Sequence, residues 1–481
     1  MPSSVHSKDK QPFKSELAES LETSRPSSAE EAQETAEAED STHHDEEKGI
    51  EIAQSAEKPF DARSTKTTES VIPPPPDGGL HAWLKVFGGF MIYINIWGFT
   101  LSYGAFQAYY KSDLLSSASP SAISWIGTVQ AWLLIFFGVL SGPLFDLGYF
   151  RVMLVVGNFL VVFGIMMLSL STQYWQVFLS QGICMGLGAG LLYIPSLALV
   201  GIWFDKKRAI ALGIVMSGIA VGGVVYIMMF DRLLKSSGFP WAMRAIGFVA
   251  LAAALLSIPA LLSGSSVLAT KRKARALFDK TAYKDKLFLI FTCCSFTTFL
   301  GYIVPYFYIP TYAKDRLGLS QSMGLYMLVM AIAASFLGRL VSGGLAQWLG
   351  PIVTWGLCTF ASAVLSLCWI SIDKETNFIA FSILWGFFSA ALVTLPSAAF
   401  ANITPDLSRL GTRLGMSWSV SSIATLIGAP IAGSLLKTNA DGHLNFIGVQ
   451  VWSGVCLMIG TGFLFILWLV TMRSQNKGWR I

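Results

Sequence analysis

The stretch "SFLGRLVSGGLAQWLG", residues 335–350, is apolar except for one charged side chain, Arg339. A guanidinium is a planar fork of donors that matches the geometry of a carboxylate. Of the 29 Asp and Glu residues, 18 lie in the segment that ends at Asp77, and we expect the other 11 in loops. The sequence therefore predicts that Arg339 lacks a protein counter-ion and can bind the carboxylate of a ligand. The alternative is that it extends to the water interface or bonds backbone carbonyls.

The composition decides what surrounds this arginine. Hydrophobic residues make up 53% of the 481 residues, charged residues only 13%, and the mean hydropathy is +0.57. Apolar runs of about 20 residues are long enough to cross a bilayer as helices. We predict an all-α integral membrane protein with twelve such helices, at 84–108, 122–145, 152–171, 174–201, 209–230, 242–263, 287–311, 321–347, 351–371, 377–401, 411–436 and 446–471.

Charge and composition set the predicted domain plan and orientation. Residues 1–76 are rich in Glu, Ser and Ala and end in "PPPP", which is typical of a disordered acidic tail, either merely solvated or regulatory. The loops on one side carry 16 basic and 5 acidic residues, against 8 and 6 on the other, which places both termini in the cytoplasm. The plan continues with a bundle at 77–263, a basic linker at 264–286, a second bundle at 287–472 and a tail at 473–481.

Two sequence pairs repeat at one spacing. "YIPSLA" and "TLPSAA" align Pro195 with Pro396, and "LSGPLFDL" and "VSGGLAQW" align Ser141 with Ser342, both 201 residues apart. Small-residue patterns recur in any membrane bundle, which is the alternative explanation. A common spacing in a twelve-helix chain favours two six-helix pseudo-repeats with a substrate cavity between them near the midplane.

Several motifs resemble one family. "DGGLHAWLKVFGGF" and "WFDKKRAIALGIVMSG" are similar to the two signatures of the monocarboxylate porter family of the major facilitator superfamily, the first in the form seen among fungal members. We interpret the motif residues as structural and topological: Asp77, Gly78, Gly79, Trp83, Phe204, Lys206, Lys207 and Arg208, together with Pro195 and Pro396.

The resemblance also bears on substrate and coupling. It aligns Arg339 with the helix 8 arginine that binds substrate carboxylate in animal members. Where those members carry a helix 8 acid and a helix 1 lysine for proton coupling, this sequence has Ser335 and Gln107. We therefore expect that no protonatable residue within the membrane drives transport.

These observations predict a secondary transporter that moves a small organic anion by alternating access. Candidate substrate contacts are Arg339 of helix 8 and polar residues of helices 1, 4 and 7, which line the path in this superfamily: Asn95, Tyr103, Gln107, Tyr193, Tyr302 and Tyr306, with Tyr308 beside them. The alternatives are a carrier of a neutral, riboflavin-like solute, an exporter of a secondary metabolite, or a transporter-like sensor.

Other classes and partners find no support in the sequence. Neither a catalytic constellation nor a channel filter is apparent, and no cofactor, metal or nucleic acid is implied. The six cysteines all fall in apolar segments. We expect a monomeric carrier in contact with the lipid bilayer and a small-molecule substrate, in the plasma membrane, with an internal membrane as the alternative.

Overall fold

The computed structural model describes residues 77–204, 207–264, 276–404, 409–438 and 444–475. The predicted acidic tail at 1–76, Lys206, residues 265–275 of the predicted linker and residues 476–481 lie outside the described residues.

Helices account for nearly all of the described chain. In chain order they are α1 (Leu80–Leu101, continued by Tyr103–Tyr109 and Tyr110–Leu114), α2 (Pro120–Asp146), α3 (Phe150–Leu168), α4 (Tyr174–Trp203), α5 and α6 (together Arg208–Leu262), α7 (Lys286–Asp315), α8 (Gln321–Leu349), α9 (Pro351–Ser371), α10 (Glu375–Ile403), α11 (Leu410–Ser434) and α12 (Ile447–Gln475). A 3-10 helix spans Lys280–Lys284, and a short antiparallel hairpin pairs Lys437–Thr438 with Leu444–Asn445. Within the described residues, eleven helices are long and apolar enough to cross a membrane.

The 55-residue helix Arg208–Leu262 contains two spans. Gly238 has φ 75° and ψ 172°, a conformation that glycine adopts without strain, and it divides the helix into α5 (208–237) and α6 (239–262). α5 runs parallel to α1, because residue numbers rise together in the contacts Phe90–Gly218 and Gly98–Gly222. α6 runs antiparallel to α1, because residue numbers change in opposite directions in the contacts Lys85–Leu261 and Asn95–Ala250. The chain therefore reverses at Gly238, and the prediction of twelve membrane-spanning helices is confirmed.

We call the side of the membrane at which α1 begins, near Leu80, the terminal side, and the side at which α2 begins the far side. Two far-side helix starts have the same cap, 201 residues apart. The Ser119 hydroxyl accepts a hydrogen bond from the backbone of Ala122 at the start of α2 (3.1 Å), and the Ser320 hydroxyl accepts one from Met323 at the start of α8 (3.2 Å). Serine at this position satisfies a free helix N–H.

The contacts between the two bundles repeat as well. Ser121 of α2 donates to the Pro430 carbonyl of α11 (2.9 Å), and Ser322, 201 residues later, donates to Asp231 of α5 (2.8 Å). The matching position for Pro430 is Met229, two residues from Asp231. The predicted pair of six-helix pseudo-repeats is therefore confirmed by contacts as well as by sequence.

The far side of the interface between the bundles is closed. Ser124 of α2 bonds the Tyr308 hydroxyl of α7 (2.9 Å), and the Tyr103 ring of α1 packs against Phe307 (centroids 4.6 Å apart). Gly104 lies so close to α7 that a methyl group added to it would be 2.2 Å from the Tyr306 carbonyl. At this level α1 and α7 are in direct contact.

On the terminal side, a charge cluster joins the start of the second bundle to α11. Arg413 donates to Asp279 through Nε and to Asp285 through Nη1, both at 2.9 Å. Asp285 also caps α7 by accepting from the backbone of Leu287. Hydrogen bonds from Thr281 and then Arg413 hold the pKa of Asp279 well below its usual range.

Candidate functional site

Arg339 lies in α8, half-buried and on the terminal side of the closed contacts. Its Nη1 donates to the Ser335 hydroxyl one turn earlier (3.0 Å), whereas its Nε is buried and has no hydrogen-bond partner. Among the described residues, no carboxylate forms a salt bridge with Arg339. A buried cation with an unused donor is energetically unfavourable unless an anion binds to it.

Two tyrosines of α7 lie near this guanidinium. Tyr302 and Tyr306 are buried, with ring centroids 5.7 Å apart, and both lie within electrostatic range of Arg339. The Tyr306 hydroxyl bonds the Ser389 hydroxyl of α10 (2.9 Å), and its ring meets the edge of Trp385 (6.2 Å). The structure therefore brings three predicted residues together, from α7 and α8.

Ser389 and Trp385 were missed by the sequence reasoning. The signal was the segment "LWGFFSAAL", which places a tryptophan and a serine four residues apart in an otherwise apolar span. Residues four apart share one face of a helix. Both side chains thus face α7.

The other predicted contacts are spread over two further places. Tyr193 of α4 lies between Trp97 of α1 (5.6 Å) and Trp418 of α11 (6.2 Å). Tyr103 and Gln107 instead belong to the far-side closure, where Tyr103 donates to the Ile123 carbonyl and Gln107 lies beside Tyr308. The Gln107 side-chain oxygen is buried without a partner.

Asn95 faces the interior of the first bundle. Its amide nitrogen donates to the Ala250 carbonyl of α6 (2.9 Å), and its oxygen accepts from the Tyr226 hydroxyl of α5 (2.5 Å). Both polar groups are satisfied, and the side chain is 2% exposed. These contacts favour a packing role over substrate contact.

The two signature motifs pack against each other on the terminal side. The Asp77 backbone donates to the Trp203 carbonyl (3.2 Å), and Trp83 meets Phe204 edge-on (5.4 Å). Asp77 and Gly79 have φ angles of 52° and 84°, which suits the turn before α1. This packing supports the predicted structural role.

The remaining motif residues lie either at the surface or inside a helix. Lys207 and Arg208 are exposed at the start of α5, and the Arg208 Nε donates to the Phe204 carbonyl (3.0 Å). Pro195 and Pro396 each lie inside a helix, α4 and α10. Gly78 has open space around it.

Lys85, near the start of α1, was also missed. Its ammonium is completely buried and donates to the carbonyls of Leu261 (2.6 Å), Ser263 and Ala260 at the end of α6, 5.3 Å from the Trp203 ring. A cation suits the free carbonyls at a helix C-terminus. Lys85 therefore fixes α6 to α1, and its signal was a lone charge in an apolar run.

The expectation that every acid beyond Asp77 lies in a loop is wrong for Asp231, and also for four acids at helix ends: Asp113, Asp146, Asp315 and Glu375. The predicted span ended at Phe230 because a charge follows, but α5 continues through Ser237. The Asp231 side chain is 3% exposed and pairs with Lys235 (3.0 Å) in addition to accepting from Ser322. The membrane domain therefore does contain a buried carboxylate, on the far side between α5 and α8.

Comparison with known proteins agrees with this architecture. Residues 86–377 match the model of the Major Facilitator Superfamily. The MFS-type transporter dbaD of Emericella nidulans is 37% identical over 86% of this chain and 93% of its own. The aspyridones efflux protein apdF of the same organism is 36% identical over 87% and 85%, and the fujikurins efflux protein of Gibberella fujikuroi 32% identical over 81% and 83%.

Solved structures show the same fold at low sequence identity. Peptide transporter POT matches with a TM-score of 0.66 over 83% of this chain and 96% of its own, at 14% identity. Nucleoside transporter NupG matches with a TM-score of 0.56 over 81% and 99%, also at 14% identity. The chain belongs to the Major Facilitator Superfamily and is a secondary transporter of that type.

Proposed function

We propose that this transporter exports an organic anion and that Arg339 binds the anionic group. The observation that carries the proposal is the half-buried guanidinium whose Nε has no partner and whose Nη1 bonds only a neutral hydroxyl in the described structure. A carboxylate placed there would accept two parallel bonds, which a lysine could not supply.

Export is supported by the names of two relatives. The proteins for aspyridones and fujikurins are called efflux proteins, which favours export over uptake. Assignment to the monocarboxylate porter family stays a prediction. Ser335, where animal members carry an acid, here bonds Arg339 itself and leaves the cation available.

The direction of transport depends on orientation. We place the terminal side in the cytoplasm of a plasma-membrane protein, because the loops on that side carry the excess of Lys and Arg. With the far side closed, the Arg339 site would then load from the cytoplasm. Opening of the far side by rocking of the two bundles would release the substrate outside.

The test is transport in reconstituted vesicles with a panel of labelled organic acids and riboflavin. Loss of a charge-assisted bidentate contact costs about 1.5–3 kcal/mol, so Arg339→Gln should weaken anion transport about tenfold or more. Arg339→Lys should recover only part, because an ammonium lacks the fork. The matched control is Arg316→Gln, which removes an arginine that is 52% exposed and paired with Asp373.

The outcome separates the candidate substrates. Unchanged anion transport by the Arg339→Gln variant, with riboflavin carried by both proteins, would replace the anion proposal with the neutral-solute one. A substrate's own carboxyl titrates near 4 to 5, so transport by a simple anion carrier should follow the substrate pKa. A pH midpoint that stays fixed across substrates would point to a titrating group of the protein instead.

A further inference from the structure

We propose that the substrate cavity has an aromatic subsite, formed by Tyr193 and Trp418, at the same membrane depth as Arg339. It would bind a flat aromatic or conjugated part of the anion. This inference rests on the proposed function and names the substrate class of the same site.

The first observation is the packing of Tyr193. Its ring lies on Gly138 of α2, where an added methyl group would be 2.8 Å from the ring, and it is nearly parallel to Trp418 of α11 (interplanar angle 18°, centroids 6.2 Å apart). The two rings come from different bundles, because α4 belongs to the first and α11 to the second. A flat group beside them would contact both bundles at once.

The second observation is a pair of donors without partners. The Trp418 indole N–H is buried and unbonded, and so is the hydroxyl of Tyr93, which is 1% exposed and whose ring lies 6.1 Å from Tyr193. Buried polar groups are normally hydrogen-bonded, and an orphaned donor requires an explanation. A ligand with carbonyl or phenol oxygens on its flat part would supply the acceptors.

The third observation comes from the 201-residue repeat, which the inter-bundle contacts confirm. Gly138 corresponds to Arg339, Tyr193 to Thr394 and Trp418 to Ser217. In the first bundle the large ring of Tyr193 covers Gly138. In the second bundle the two sizes are exchanged: the small Thr394 corresponds to Tyr193, and the long Arg339 corresponds to Gly138. Because parallel repeats are related by an axis along the membrane normal, corresponding positions lie at one depth.

The cavity therefore has two unlike walls at one level. One wall offers a cation with the hydroxyl-bearing Thr394 and Ser217, and the other offers two rings with unused N–H and O–H donors. An aromatic or conjugated acid fits both walls, whereas a short aliphatic acid reaches only the arginine.

The experiment compares binding of radiolabelled 2-naphthoate and its ring-saturated analogue, decahydro-2-naphthoate, to the purified full-length protein. Trp418→Leu and Tyr193→Leu should each weaken naphthoate binding about three- to tenfold, as expected for loss of an aromatic pair, and leave the saturated acid nearly unchanged. Trp418→Phe keeps a ring and should weaken it less. Trp348→Leu is the control, because Trp348 is 78% exposed at the end of α8.

The outcomes distinguish this inference from the proposed function. Arg339→Gln should weaken both acids equally. If it does so but Trp418→Leu and Trp418→Phe affect the two acids alike, the aromatic subsite is wrong and the anion site stands. If Arg339→Gln changes neither acid, the proposed function is wrong. Failure of the wild type to prefer naphthoate over its saturated analogue would also overturn the subsite.

Discussion

Asp231 is the residue whose removal should most directly change the conformation of this transporter. Its carboxylate accepts from Ser322 across the bundle interface (2.8 Å), with the Tyr326 hydroxyl at 3.5 Å, and it pairs with Lys235 on its own helix (3.0 Å). Asp231→Asn keeps the shape and removes the charge. Charge-assisted hydrogen bonds contribute about 1.5–3 kcal/mol and neutral ones about 0.5–1.5.

The magnitude follows from which of these interactions cross the interface. Lys235 is 58% exposed, so its ion pair contributes little, and it lies on the same helix as Asp231. Lys235 also donates to Ser322 across the interface, but that bond does not involve the Asp231 carboxylate. Of the interactions that Asp231 itself makes, the hydrogen bond from Ser322 is the main one that must break when the far side opens, so we expect the variant's far-closed state to be destabilised by about 1–2 kcal/mol. That difference is a factor of roughly 5–30 in the ratio of closed to open molecules.

Spin labels on the exposed far-side positions Ser117 and Thr376, one in each bundle, would measure this ratio in a background without Cys293 and Cys368, the exposed cysteines. The population at the longer distance should rise in the Asp231→Asn variant. Asp373→Asn is the control, because that aspartate is 66% exposed on the same side. An unchanged distance distribution in the Asp231 variant, or an equal change in the control, would refute the assignment of Asp231 as a residue that holds the far side closed.

Three further predictions concern the scaffold. Lys85→Met should lower the melting temperature by removing about 1.5–3 kcal/mol of hydrogen bonding to the end of α6, whereas transport per folded molecule should persist. Gly104→Ala should favour the far-open state in the spin-label assay, because the methyl group would meet the Tyr306 carbonyl at 2.2 Å, and Gly213→Ala, which meets nothing within 4 Å, should not. The Asp279 pKa is depressed, so the interactions of its carboxylate stabilise the fold above a pH of about 4 and are lost as the pH falls further. The melting temperatures of the wild type and Asp279→Asn should therefore differ by a constant amount from about pH 5 to 8, and by less below about pH 4.

The helices could be predicted from sequence because hydrophobic length alone determines a span, and the predicted spans match the observed helices to within several residues. The repeat was visible because Pro195 and Pro396 retain their neighbours. Charge was the misleading signal. It ended the predicted α5 too early at Asp231, and it gave no role to Lys85, because the carbonyls that accept from this lysine are 175 or more residues away.

The same limit applies to the candidate site. Arg339 could be selected because a charge inside an apolar helix is conspicuous, and Tyr302 and Tyr306 because they lie on a helix that lines the path in this superfamily. Trp418 could not, since α11 was not among the helices considered, and its ring meets Tyr193 only after two bundles have docked. Asn95 is the opposite case. It was selected as a polar residue on a path-lining helix, but its hydrogen-bond partners lie inside its own bundle.

The repeat itself indicates where specificity resides. A scaffold of two similar bundles closes the far side through similar contacts, from Ser121 in one and Ser322 in the other. Neither bundle needs an arginine for that packing, because the first has Gly138 at the position of Arg339. Where the two repeats keep the same backbone but carry different side chains, the side chain is not required for packing. Such departures from local rules concentrate at functional sites. A substrate that bridges unlike walls contributed by both bundles would change its contacts whenever the bundles rock, which couples its binding to the motion that carries it across.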